Sequence, residues 1–290
     1  MRAFLLLLFG ALLPLPLFAA NTTFVQDVST RFPATVRVLV IKPDNPRAAV
    51  VLFAGSRGVI NLGLDGSTTS QNFLVRSREL FAQHKLMVAV VDAPSDRFFP
   101  AGDGEPIGLG GGFRRSAEHV QDVAAVIDFV RQQEDVPVWL VGTSRGSTSA
   151  AYVGIHLKEG GPDGIVLTSS IVIPVPPATE PTDGDSLLNN PPMDFSLLKV
   201  PALVMHHVKD GCFVTPFAGV KPLLMKLMVS SSPLLEDMAI HGGGPPQGDP
   251  CDALHYHGFI GIEAAVVARM AHWIVKAPHA IQKNQKHSAR

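Results

Sequence analysis

The sequence predicts an α/β fold, a largely parallel sheet covered on both faces by helices. Two observations carry that prediction. Short apolar runs rich in β-branched residues alternate along the chain with stretches whose apolar residues recur at helical spacing. In addition, 290 residues that are 46% hydrophobic and 17% charged can bury one large core and are too apolar for a disordered chain.

Seven runs read as strands: Thr35 to Ile41, Ala48 to Ala54, Met87 to Asp92, Val136 to Thr143, Gly164 to Ser169, Ala202 to Val208 and Asp237 to His241. Between them, Gln71 to His84, Ala117 to Gln133, Ser147 to Lys158, Pro216 to Met228 and Gly261 to Lys276 carry helical patterns. The second of these is the clearest. Its Val120, Val123, Ala124, Ile127 and Val130 form one stripe, Ser116 is placed to cap it, and Glu118 favours its first turn.

Two stretches break the alternation. Pro174 to Leu198 holds six prolines, at 174, 176, 177, 181, 191 and 192, so it reads as an excursion that edges the sheet or roofs a site. The run Gly102 to Gly112 reads as a glycine-rich loop. No linker divides the chain, which is therefore read as a single domain over residues 21–276 with a polar tail over 277–290.

The first twenty residues predict export. Arg2 precedes an apolar stretch from Ala3 to Leu13, followed by Pro14, Pro16 and the small pair Ala19 and Ala20, the pattern of a secretory signal peptide cleaved after Ala19 or Ala20. The apolar run is shorter than the ~20 residues a membrane span needs, and no later segment is read as a span. A secreted or periplasmic protein is expected, not membrane-bound once the signal is removed.

Charge and metal-ligand patterns narrow the function. Lys and Arg total 24 against 25 Asp and Glu, with no basic run before the last dozen residues, which argues against a nucleic-acid surface and for a small-molecule partner. There is no C-x-x-C or H-E-x-x-H pattern, so no metal is predicted.

The chemistry is concentrated in VPVWLVGTSRGSTSAAYVGI, where Gly142, Ser144 and Gly146 have G-x-S-x-G spacing directly after an apolar strand and directly before a helical run. On such a turn a serine is exposed in a strained conformation, the glycines let neighbouring backbone approach, and the following helix N-terminus favours developing negative charge. A nucleophilic serine needs a base and an acid to orient it, here in chain order Ser, Asp, His. Asp210 stands just beyond a buried strand, at the carboxyl edge where open α/β sheets build their sites, with Asp183, Asp185 and Asp237 as alternatives. For the base, His257 is preferred to His255 in the loop CDALHYHGFIGIE, where Gly258 permits a sharp turn. His206 and His207, at the end of a strand, and His272, beside Trp273, read as packed.

Taken together, VGTSRG, the Asp210 loop and HYHGF resemble the α/β-hydrolase superfamily over roughly residues 35 to 276. VVDAPSDR at 90–97 and RSAEH at 115–119 are similar to exported bacterial hydrolases. The resemblance implies cleavage of ester, amide or related acyl bonds. One departure concerns the oxyanion loop, which reads LFAGSRG at 52–58 in place of an H-G-G-G run. Because backbone amides do that work, the expected hole is the N–H of Ser56 with the N–H of Arg145. Arg57 is a candidate to orient an anionic substrate, with a solvated surface arginine as the alternative.

The expected reaction needs no cofactor. Ser144 attacks a carbonyl as His257 takes its proton, Asp210 stabilises the imidazolium, and water resolves the acyl-enzyme. An acyltransferase, an amidase or peptidase, and a non-catalytic binding protein on the same fold remain as alternatives, and the short roof favours a short-chain esterase over a lipase. Finally, Cys212 and Cys251 are the only cysteines and flank the proposed acid and base, so a disulfide between them is expected in an exported chain if those two loops meet.

Overall fold

The computed structural model describes residues 21–110, 112–173, 186–188 and 193–288. The expected signal peptide and most of the proline-rich excursion, including Asp183 and Asp185, lie outside the described residues.

Eight strands form one sheet: β1 (Thr22–Ser29), β2 (Thr35–Lys42), β3 (Ala48–Phe53), β4 (Leu86–Pro94), β5 (Val138–Thr143), β6 (Gly164–Thr168), β7 (Ala202–His207) and β8 (Leu235–Ile240). Their spatial order is β1-β2-β4-β3-β5-β6-β7-β8, with β2 antiparallel to both its neighbours and the remaining pairs parallel. Strands β3 to β7 are buried along their whole length, which is why they read as unbroken apolar runs. The strand that the sequence does not announce is β1, an edge strand of mixed polarity (TTFVQDVS) with largely exposed side chains.

Helices cover both faces. One core packs α3 (Ala117–Gln133), α4 (Gly146–His156) and α5 (Val220–Leu227) against the sheet. The opposite core packs α1 (Phe73–Arg76), α2 (Arg78–Gln83) and α6 (Glu263–Ser288). The predicted cap of α3 forms, with Ser116 Oγ accepting from His119 N at 3.1 Å. Its buried stripe is centred on His119, Asp122, Val123, Val126, Ile127 and Val130, a small rotation from the predicted one.

Two helices differ from their predicted extents. The single helix expected over 71–84 is broken at Ser77, so that α1 and α2 are separate short pieces. The last helix runs past Lys276 through Pro278 to Ser288, into the segment read as a tail. By length and composition, residues Tyr256–Lys283 could cross a membrane, contrary to the reading that no later segment could. The structure instead buries Val266, Val267, Met270 and Ile274 in the core, and Trp273 meets Trp139 edge to face at 5.3 Å.

Burial also sets a pH dependence. His119 has no hydrogen-bond partner for either ring nitrogen among the described residues. Burial, reinforced by the positive charges of Arg114 and Arg31, pushes its imidazole down to about 3. In the unfolded chain the same ring titrates near 6.5, so the unfolded state binds the extra proton and stability falls as pH drops below 6.5. This one group should cost about 2 kcal/mol between pH 7 and pH 5. Urea unfolding of wild type and His119→Leu at both pH values checks it, and an equal loss in the two proteins would contradict the assignment.

Candidate active site

The G-x-S-x-G turn at Ser144 is built by close backbone packing. A Cβ on Gly142 would collide with the carbonyl of Gly146, and one on Gly146 with the carbonyl of Phe53 in β3. These contacts press the start of α4 against the sheet and leave Ser144, between β5 and α4, in the left-handed region at φ +53°. A non-glycine residue held there stores strain of about 1–3 kcal/mol, a cost that a turn selected only for folding avoids. The Ser144 N–H donates to Thr168 O at 3.0 Å, and Ser147 Oγ donates to Ser144 O at 2.6 Å.

Asp210 follows β7 in a turn closed by its own carboxylate, whose Oδ1 accepts from Cys212 N at 3.0 Å. Its Oδ2 faces His257 Nδ1 at 3.0 Å and accepts from Thr215 Oγ1 at 3.0 Å. Thr215 Oγ1 also lies 3.0 Å from His257 Nδ1, so the imidazole N–H is shared between carboxylate and hydroxyl. Behind Asp210, His206 Nε2 donates to Thr215 O at 2.6 Å and lies 3.3 Å from Asp210 Oδ2. Burial alone would raise the pKa of Asp210, but the hydrogen bonds from His206 and His257, with their charges, hold it well below the usual carboxylate range. A charged Asp210 fixes the tautomer of His257 with its proton on Nδ1, leaving Nε2 free to accept.

His257 sits in a 3-10 turn, Tyr256–Gly258, where a Cβ on Gly258 would collide with the carbonyl of Ala253. The end of β6 ties this turn to Ser144: Thr168 O receives the Ser144 amide, and the next residue, Ser169, donates its Oγ to His257 O at 2.8 Å. No hydrogen bond between Ser144 Oγ and the His257 ring is formed among the described residues. Such contacts commonly tighten only in the substrate complex. A cavity of about 600 Å³ opens beside Ser144 and is also lined by Ser56, Arg57, Arg145 and Phe213.

Solved structures share this architecture. The chain is similar to an esterase of Pyrococcus furiosus (TM-score 0.57, 13% identity, covering 88% of this chain and 92% of that one). It is similar also to a dienelactone hydrolase from Anabaena variabilis (TM-score 0.55, 14% identity, 88% and 97%). The chain has the α/β-hydrolase fold. A cold-adapted esterase from an Arctic intertidal metagenomic library shares it too, at TM-score 0.52 and 14% identity, covering 87% of this chain and 93% of that one. No protein-family model and no curated protein matches the sequence.

Within this α/β-hydrolase fold, the structure brings Asp210 and His257 together and leaves the described alternatives, His255 and Asp237, elsewhere. His255 stacks edge to face on Tyr256 and does not meet Asp210, while Asp237 is exposed on β8. His207 stacks on Tyr256 at 4.7 Å and donates to Gly242 O, a packed residue as expected. His272 is exposed, so packing is a property of Trp273 and not of its neighbour. His206 is buried as expected, but its donor reaches Thr215 and Asp210, a role not legible in a strand histidine. Thr215 was missed altogether. Arg57 lines the cavity, yet Asp103 engages its guanidinium through two bonds, at 3.0 and 2.5 Å, so a substrate anion would have to compete with that pair.

The structure joins Cys212 to Cys251, with Cα atoms 4.4 Å apart and a sequence separation of 39. The bond ties the loop of Asp210 to the loop of His257. Closing a loop of that length removes about 4 kcal/mol of chain entropy from the unfolded state. Reduction should lower activity at temperatures where the sheet persists, because these loops loosen first. Activity measured beside far-ultraviolet circular dichroism, with and without reductant, checks this; activity that falls only with global unfolding would contradict it.

Proposed function

We propose that the chain is an exported serine hydrolase that cleaves an ester-type acyl bond through Ser144, His257 and Asp210 and an acyl-enzyme intermediate. The observation that carries the reading is the 3.0 Å approach of His257 Nδ1 to the buried carboxylate of Asp210, on the same sheet edge as a strained, cavity-lining Ser144. The similar esterases and dienelactone hydrolase support the choice of reaction. The disulfide suits an oxidising compartment and supports export.

In the reaction, His257 Nε2 accepts the Ser144 proton as Oγ attacks the substrate carbonyl, and Asp210 stabilises the imidazolium so formed. The N–H groups of Ser56 and Arg145 take the developing oxyanion, the second of them at the N-terminus of α4, where the helix dipole adds to it. His257 returns the proton to the leaving alcohol, then activates water against the acyl-enzyme. No step calls for a cofactor.

The cavity suits a small acyl substrate. A panel of p-nitrophenyl esters of increasing chain length beside the matching anilides tests this, with highest kcat/KM expected for short esters. Absence of turnover on every ester would reject the reading.

Thr215 enters this mechanism by holding acid and base in register. Thr215→Val keeps the shape and loses the hydroxyl, and should lower kcat by about tenfold or more with little change in KM. An unchanged kcat would remove Thr215 from the mechanism.

A further inference from the structure

The oxyanion loop is clamped by a buried arginine. Arg114 lies in the 3-10 turn Phe113–Arg115 and is 0% exposed. Its Nη2 donates to Ala54 O and to Ser56 O, both at 3.1 Å, and its Nη1 donates to Ser149 Oγ at 2.7 Å. Between the two carbonyls it holds, Gly55 O accepts from Gly58 N at 2.9 Å. Three consecutive carbonyls of the loop are thus fixed. Because a trans peptide is planar, with its C=O and N–H pointing in opposite directions, fixing them also aims the N–H groups of Gly55, Ser56 and Arg57.

The other arm of the fork reaches α4, the helix that begins beside the nucleophile and whose N-cap, Arg145, carries the second proposed oxyanion amide. One rigid guanidinium therefore spans both backbone segments that would receive the oxyanion. Ser56 itself is in the left-handed region, at φ +48°, a conformation that a loop without such ties would tend to leave.

We infer that Arg114 is a positioning residue that locks the 54–56 loop against the nucleophile helix and so sets the oxyanion hole for the transition state. The inference rests on the proposed acyl-transfer reaction. It assigns Arg114 no contact with substrate, and its effect belongs in kcat rather than KM. Lysine cannot replace it, because an ammonium lacks the planar fork that serves three oxygens at once.

The test uses wild type, Arg114→Met and Arg114→Lys, with kcat divided by the number of sites counted in the p-nitrophenyl acetate burst. Both variants should lose about 100-fold in kcat per counted site, with KM within about threefold of wild type. Affinity for a trifluoromethyl ketone, which mimics the oxyanion, should fall in proportion to kcat/KM. In parallel, amide exchange over residues 55–58 should quicken by about tenfold or more, in a measurement that does not depend on activity. A purely structural role would lower the number of competent sites and leave each one at full rate. That result, or unchanged exchange over 55–58, overturns the inference. If wild type shows no burst, it is the hydrolase reading that fails, and exchange still decides the clamp. Should neither Arg114 variant fold, Ser149→Ala removes one anchor of the fork and is read in the same way, with about a tenfold loss expected and none overturning the inference.

Discussion

Ser144→Ala is expected to remove ester hydrolysis almost completely, by about 10⁶-fold in kcat. In the proposed mechanism the hydroxyl is the group that forms the acyl bond, and Ser147, the next hydroxyl in the turn, is buried and spends its own on the carbonyl of Ser144. The substitution leaves the turn itself intact. Alanine meets the same backbone geometry at φ +53°, and the packing of Gly142 and Gly146 does not involve the side chain that is lost. The melting temperature should therefore stay within about 3 °C of wild type. Residual activity above about 1% would show that another nucleophile carries the reaction.

Asp210→Asn is the second large effect, expected at about 10⁴-fold in kcat. Two consequences of the geometry combine. A neutral amide no longer stabilises the imidazolium or enforces the tautomer of His257 with its proton on Nδ1. Nor can an asparagine satisfy the site in either orientation, since Oδ1 faces the Cys212 N–H while Oδ2 faces donors from Thr215, His257 and His206. Whichever way the amide turns, an N–H meets an N–H or O–H, which should lower stability by about 1–3 kcal/mol. Steady-state kinetics and urea unfolding of the one variant read both effects. A loss below about tenfold in kcat would assign the acid role to another residue.

Much of this molecule is legible in its sequence because the signals are local. The five central strands are buried on both faces and announce themselves as apolar runs, and Ser116 caps α3 through a bond three residues away. The turn at Ser144 is legible for the same reason: Gly142 and Gly146 are required by contacts with adjacent or directly paired backbone. Asp210 and His257 could be chosen because they follow the strand ends at which such sites are built. What escaped the sequence depends on contacts made through space. Edge strand β1 has no buried face along most of its length, so no periodic pattern marks it. Thr215, His206 and Arg114 matter through partners distant in sequence or turned toward them by a loop, and an isolated threonine, a strand histidine and one arginine of a pair carry no spacing that says so. The continuation of α6 beyond Lys276 was obscured by Pro278, which usually ends a helix.

The central claim is that catalysis passes through an acyl group on Ser144. Acid quenching of the enzyme during turnover of p-nitrophenyl acetate, followed by proteolysis and mass spectrometry of the peptides, tests it directly. The account predicts one acetyl group per chain on the peptide that contains Ser144, formed with a burst of p-nitrophenol of about one equivalent and absent from Ser144→Ala. An acetyl group on a different residue during turnover, or sustained turnover with no acylated peptide, would contradict it.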